Sequence, residues 1–234
     1  LAAARRALVL QDPVLAEELL ELAGPPSYES WLTLGTARTA RGMVDDADLA
    51  LAAAAETAEN DEERARALSR RGINLTTGAG RFEEAAILLA AGLETVDDPR
   101  WRSFVAADLA YVRLWLGQRD GAMTAWAGDS VPDVVRANEC LAGAVISAMA
   151  GELTDAERLV AEGLPLAPSI TADVPMAREL LTLSRFLTLA FGGDHESAVR
   201  VLDIELERVL GGPDGASGTW LAARAVQRLI DGDL

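Results

Sequence analysis

A glycine followed five residues later by an alanine recurs five times, at Gly42 and Ala47, Gly80 and Ala85, Gly117 and Ala122, Gly151 and Ala156, and Gly193 and Ala198. Gly232 begins a further copy, and a looser one lies at Ala16, Leu20 and Ala23. The alanines open amphipathic stretches: Leu51 and Ala54 follow Ala47, Leu89 and Gly92 follow Ala85, and Val160 and Gly163 follow Ala156. From Gly42 on, the glycines are 38, 37, 34, 42 and 39 residues apart. A period of that size holds one helix-turn-helix unit, and a chain of such units has few other folds open to it.

Glycine enters the left-handed conformation without a Cβ clash, so each of these positions marks where a helix stops and the chain reverses. Residues that start helices stand where the next helix is due. They are Asp12 before Pro13, Ser27 after Pro25 and Pro26, Asp45, Asp98 before Pro99, Ser130 ahead of Pro132, Thr154 with Glu157 as a capping box, and Asp194. Small residues at the repeat positions allow the two helices of a pair to approach closely. The expected fold is all-α, a right-handed α-solenoid of about six to seven hairpins. These fall near residues 1–24, 27–58, 61–96, 98–128, 131–167, 171–210 and, truncated, 215–234 of a single domain spanning 1–234. The chain opens on Leu1 without a leader and stops at Leu234 just after a turn signal, which reads as a piece cut from a longer protein.

Charge and residue usage close off several kinds of chemistry. There are 37 acidic residues against 21 basic ones, all arginine, for a net charge of −16, so the domain is expected to repel phosphate backbones and to make no contact with nucleic acid. Without lysine it offers no Walker-type phosphate loop, no Schiff-base lysine and no kinase lysine. One cysteine and one histidine build neither a disulfide nor a Cys/His zinc site in one chain. The apolar run from Cys140 to Ala150 is bracketed by Glu139 and Glu152 and reads as a buried helix, so no membrane contact is expected. The localisation that goes with these features is cytoplasmic.

No group of residues points to an enzyme, a metal or a cofactor. His195 has no nucleophile motif beside it and reads as an exposed residue at a helix start. Gly78-Ala79-Gly80 has Glu83 where a dinucleotide fingerprint needs its third glycine, and reads as a helix end. Asp45, Asp46 and Asp48 suit a helix N-terminus better than a cation, Gly215-Ala216-Ser217-Gly218 reads as a loop, and Cys140 as a small core residue.

Trp31-x-x-Leu34-Gly35 followed by Arg38, Ala47, Leu51 and Ala54 falls at the spacing of the tetratricopeptide signature, and Leu109-Ala110, Arg113, Ala122 and Trp126 repeat it. With the acidic, arginine-only composition, the phrases LAYVRLWLGQRDGA and AMAGELTDAERL make the chain resemble the central helical repeats of actinobacterial LuxR-family, MalT-like regulators. That resemblance implies a sensor or protein-interaction segment of a transcriptional regulator, with an ATP-binding switch before it and a helix-turn-helix DNA-binding domain after it. The alternative is a stand-alone adaptor that docks a peptide or protein.

In a stack of hairpins the first helices line one wall, and the tetratricopeptide register turns a set of their side chains toward it. Arg70, Asn74, Tyr111, Trp115 and Met149 are the site candidates, together with flanking positions such as Thr39, Leu141, Val145 and Phe186. Arg70 and Asn74 would grip a carboxylate or hydroxyl beside an aromatic platform of Tyr111 and Trp115. The expected partner is a peptide, a protein or a small-molecule effector. Exposed apolar ends leave open a homo-oligomer.

Overall fold

The computed structural model describes the chain except residues 11, 119–129, 172–173, 175, 211–216 and 233–234, and the side chains of 217, 219, 230 and 231. Ala122, Trp126, Gly215 and Ala216 therefore lie outside the described residues. Among those described, the protein is all helical with no strand. The helices are α1 (Ala2–Val9), α2 (Pro13–Glu21), α3 (Tyr28–Ala40), α4 (Val44–Thr57), α5 (Asp61–Ile73), α6 (Phe82–Leu93), α7 (Pro99–Trp115), α8 (Asp133–Ala150), α9 (Leu153–Ile170), α10 (Ala177–Phe191), α11 (His195–Leu210) and α12 (Ser217–Asp231). A π-helical turn, Asn74–Gly78, extends α5. None of the described helices is long and apolar enough to cross a membrane.

The residues group into two compact units, Leu1–Val131 and Pro132–Leu234. In the first unit each helix packs on the next, and α1, α3, α5 and α7 also pack on one another in succession. In the second, α8, α9 and α10 pack mutually, α10 packs on α11, and α11 on α12.

All six repeat glycines have positive φ, from +66° at Gly80 to +82° at Gly193. Their turns are closed by one set of backbone bonds. The amide after the glycine donates to the carbonyl five residues back in Met43→Arg38, Gln118→Arg113, Glu152→Ser147 and Asp194→Leu189. The glycine's own amide donates three residues back, as in Gly42→Thr39 and Gly151→Ala148. This is the Schellman arrangement, which satisfies carbonyls that a helix end would otherwise leave open.

The second helix starts at once. The carbonyls of Met43, Arg81, Glu152 and Asp194 accept from the amides of Ala47, Ala85, Ala156 and Ala198, closing its first turn. All four alanines are fully buried. The glycine-to-alanine spacing of five is thus a reversal followed by one helical turn that points a small residue into the hairpin seam.

This run-on turn moves two expected caps. The N-cap of α4 is Met43, not Asp45, and that of α9 is Glu152, so Thr154 and Glu157 form no capping box. Ser130 is likewise displaced, since Pro132 precedes α8. Caps hold where a true linker enters a helix: Asp12 accepts from Leu15, Ser27 and Ser30 cap reciprocally, and Asp98 accepts from Arg100; among the run-on turns Asp194 also caps with its side chain, accepting from Ser197. Asn60 caps α5 in the same way, accepting from Glu63.

At Gly80 the closing bond reaches one residue further, from Arg81 to Leu75. The π turn Asn74–Gly78 absorbs that extra residue by widening the helix end, as a one-residue insertion does.

Close approach in the seams depends on glycine. A Cβ on Gly72 of α5 would lie 3.0 Å from Leu89 of α6, and one on Gly92 of α6 would lie 2.7 Å from Leu68 of α5, so each helix receives the other's leucine. Gly163 of α9 takes Cys140 of α8 in the same manner, at 2.8 Å from its Cβ. Burial pushes the Cys140 thiol up to about 12, which fits a core residue and not a reactive one.

Ion pairs link neighbouring helices, between hairpins at Arg71 and within hairpins at Arg136 and Arg178. Arg71 chelates Asp48 at 2.8 and 2.9 Å, Arg136 reaches Glu162 at 2.5 Å, and in the second unit Arg178 chelates Glu205 at 2.8 Å through both oxygens while Arg208 adds a third contact at 2.8 Å. Glu205 is 3% exposed. Burial drives its carboxyl upward, but the hydrogen bonds and charges of Arg178 and Arg208 outweigh that and leave it below the ordinary glutamate range. A depressed folded-state value stabilises above the unfolded value and is lost as pH falls through the folded one. Acidifying from about pH 5 to 3 should therefore lower the urea midpoint more in the native protein than in Glu205→Gln. Parallel pH profiles for the two would show that Glu205 does not contribute.

Candidate functional site

The residues marked by sequence fall into three environments. Arg70, on α5, is 7% exposed, and Asn74, the first residue of the π turn, is fully buried. The Asn74 side-chain amide donates to the Val44 carbonyl at 2.9 Å, and its oxygen accepts from the Thr39 hydroxyl at 3.0 Å. Asn74 therefore ties the end of α3 and the start of α4 to α5. A ligand does not reach it, so its place in a binding wall is corrected: its side chain is spent on the preceding hairpin, at the end of α3 and the start of α4. Asn74→Ala is expected to cost about 1–3 kcal/mol of stability, since it strips partners from buried polar groups. An unchanged melting curve would show that the bridge is not formed. Thr39, spent on Asn74 and on the Gly35 carbonyl, is part of the same structural link.

Tyr111 and Trp115 stand one turn apart at the end of α7. Their rings meet edge-on, 6.1 Å apart at 69°, and Trp115 also packs against Phe82 with centroids 6.4 Å apart. Burial raises the Tyr111 phenol above its usual range, opposed in part by a hydrogen bond from Trp115. Trp115 remains 52% exposed. These three rings form an aromatic ledge, with Glu83 and Glu84 exposed on the first turn of α6 beside Phe82.

Met149 belongs to the second unit, in the last turn of α8, and is 38% exposed. Leu141 and Val145, on the same helix, are buried, and Phe186 is a core residue at 1% exposure among Leu202, Leu206 and Trp220.

Phe82 is the residue that register counting passed over, because it sits on a second helix. A signal for it does exist. In three hairpins the residue two after the reversal glycine packs on the last turn of the next first helix: Val44 lies 2.9 Å from the Cβ position of Gly78, Phe82 packs at a tilt on Trp115, and Leu153 lies 3.2 Å from the Cβ position of Gly192. The turn of one hairpin is thus seated on the turn of the next. Trp115 is an inter-hairpin contact on its Phe82 side and open on the other.

Two of the three carboxylates considered for a cation are engaged elsewhere: Asp45 pairs with Arg81 and Asp48 with Arg71, each at 2.8 Å. No group of three or more potential metal ligands occurs among the described residues. Comparisons with family models, with curated proteins and with solved structures find no match to this chain.

Proposed function

We propose that this chain is a tetratricopeptide-like helical-repeat binding segment, its hairpins stacked as a right-handed solenoid and its open aromatic ledge at Trp115 a contact for a peptide, protein or small-molecule effector. One observation carries this reading. A tryptophan is half exposed while two of its neighbours, Phe82 and Tyr111, hold it in a fixed orientation. An ordered, exposed aromatic side chain gives contact area at little further entropic cost, which is why such residues anchor binding sites. The repeated turn and the packing of α1, α3, α5 and α7 in succession, and of α8 on α10, support the stacked arrangement.

By its resemblance to MalT-like regulators, the segment would belong to a transcriptional regulator, and effector binding would bias an equilibrium in neighbouring ATP-binding and DNA-binding domains. The full open reading frame tests that half of the proposal. A phosphate loop before this segment and a helix-turn-helix after it are expected, and a frame holding neither leaves the adaptor reading.

The binding half is tested by panning a display library of unstructured peptides against the chain. Enriched peptides are expected to bind Trp115→Ala at least about tenfold more weakly, or ~1.4 kcal/mol. The melt of that variant should move by only about 1 kcal/mol, for the lost ring contacts. Enriched peptides indifferent to Trp115→Ala would overturn the ledge as the site.

A further inference from the structure

The second unit carries a surface at its turn end that the ledge does not include. Leu153, the first residue of α9, lies against Gly192 at the end of α10, 3.2 Å from where a Cβ would stand. That contact sets the α8–α9 turn beside the α10–α11 turn. Phe191, next to Gly192, is 53% exposed, and Met149, two residues before Gly151, is 38% exposed. Both lie where a helix gives way to its left-handed glycine, with φ of +81° at Gly151 and +82° at Gly193. The same turns expose Glu152, Asp194 and Glu196, of which Glu196 also pairs with Arg200 and Asp194 accepts from the Ser197 amide.

From this juxtaposition we infer that the turn end of the second unit docks a cationic amphipathic segment of another protein, its apolar side on Phe191 and Met149 and its arginines or lysines on the surrounding carboxylates. The inference rests on the reading of the chain as a binding module and names one partner class for it. Charge complementarity selects the occupant. A second copy of a chain with net charge −16 would bring carboxylates against carboxylates, and an anionic lipid surface or a nucleic acid would meet the same repulsion. A basic segment meets attraction and covers apolar surface at once.

The test uses the full chain and a synthetic helical peptide of leucine and arginine only, with a leucine and glutamate counterpart as control, followed by titration calorimetry. Met149→Ser with Phe191→Ser removes the apolar contact from exposed positions. Glu152→Lys with Glu196→Lys reverses charge while sparing Asp194, which caps α11. Each pair is expected to weaken the arginine peptide at least about tenfold, with the native affinity falling as salt rises. Leu22→Ser, which removes an apolar residue 83% exposed in the first unit, should change nothing. Equal binding of the glutamate peptide, no detectable binding of the arginine peptide at about 1 mM, or affinity insensitive to both variant pairs would overturn the proposal. If the arginine peptide proves sensitive instead to Trp115→Ser, this surface fails and the binding-module reading stands.

Discussion

Trp220→Ala should destabilise the protein by about 3–5 kcal/mol, the usual loss when a large aromatic is cut from a packed core. Trp220 is fully buried on α12, within a cluster that includes Phe186, Leu202, Leu206 and Val209 from α10 and α11. With Ala223 it packs the last helix onto that cluster. Its indole nitrogen finds no hydrogen-bond partner among the described residues, so the ring contributes through its apolar surface and against a desolvation cost of about 1–3 kcal/mol. Trp220→Phe keeps most of that surface and removes the unsatisfied N–H, and should therefore cost far less than the alanine. Urea titrations of the three proteins measure the contrast. Equal midpoints for native protein and Trp220→Ala would mean that α12 is not docked as described.

Gly35→Val should cost about 3 kcal/mol, at the upper end of overpacking effects. A Cβ at Gly35 would lie 2.4 Å from Leu51 Cγ, 2.6 Å from its Cδ2 and 3.3 Å from the Ala47 carbonyl oxygen. Leu51 is fully buried and cannot swing into solvent, and the backbone behind it belongs to the first turns of α4. Relief requires α3 and α4 to separate. Gly42 makes a useful contrast, because nothing lies within 4 Å of its Cβ position and its φ is +71°. Gly42→Ala is resisted by backbone conformation alone, at about 1–2 kcal/mol. A double-mutant cycle isolates the Gly35 mechanism: Gly35→Val with Leu51→Ala should cost less than the sum of the two single changes, since the leucine that clashes is gone. Additive costs would show that the two residues do not meet.

The residues that bear on function divide by whether their environment is local. Trp115 stood out from its position on α7 and is open to solvent. Arg70 and Asn74 were marked by the same counting and are buried, because counting places a residue on one face of a helix without saying which neighbour covers that face. Asn74 is covered by Val44, thirty residues away, at a turn widened by one residue. Phe82 was missed for the converse reason: it belongs to a second helix, and its role comes from the hairpin that follows.

Helical content and the reversal points are legible in the residues themselves, and the reason is steric. A positive φ excludes most side chains within a single residue, so each turn is written in one glycine, and the buried alanine five residues on follows from one turn of helix. The start of each second helix was less legible, since Met43 and Glu152 serve as N-caps through their backbones, whatever their side chains. Which wall residues are core, how the turns seat on one another within each unit, and the division of contacts at Val131 come from packing between distant segments. Burial is a property of pairs of surfaces brought together from distant parts of the chain, and no local pattern specifies the second surface.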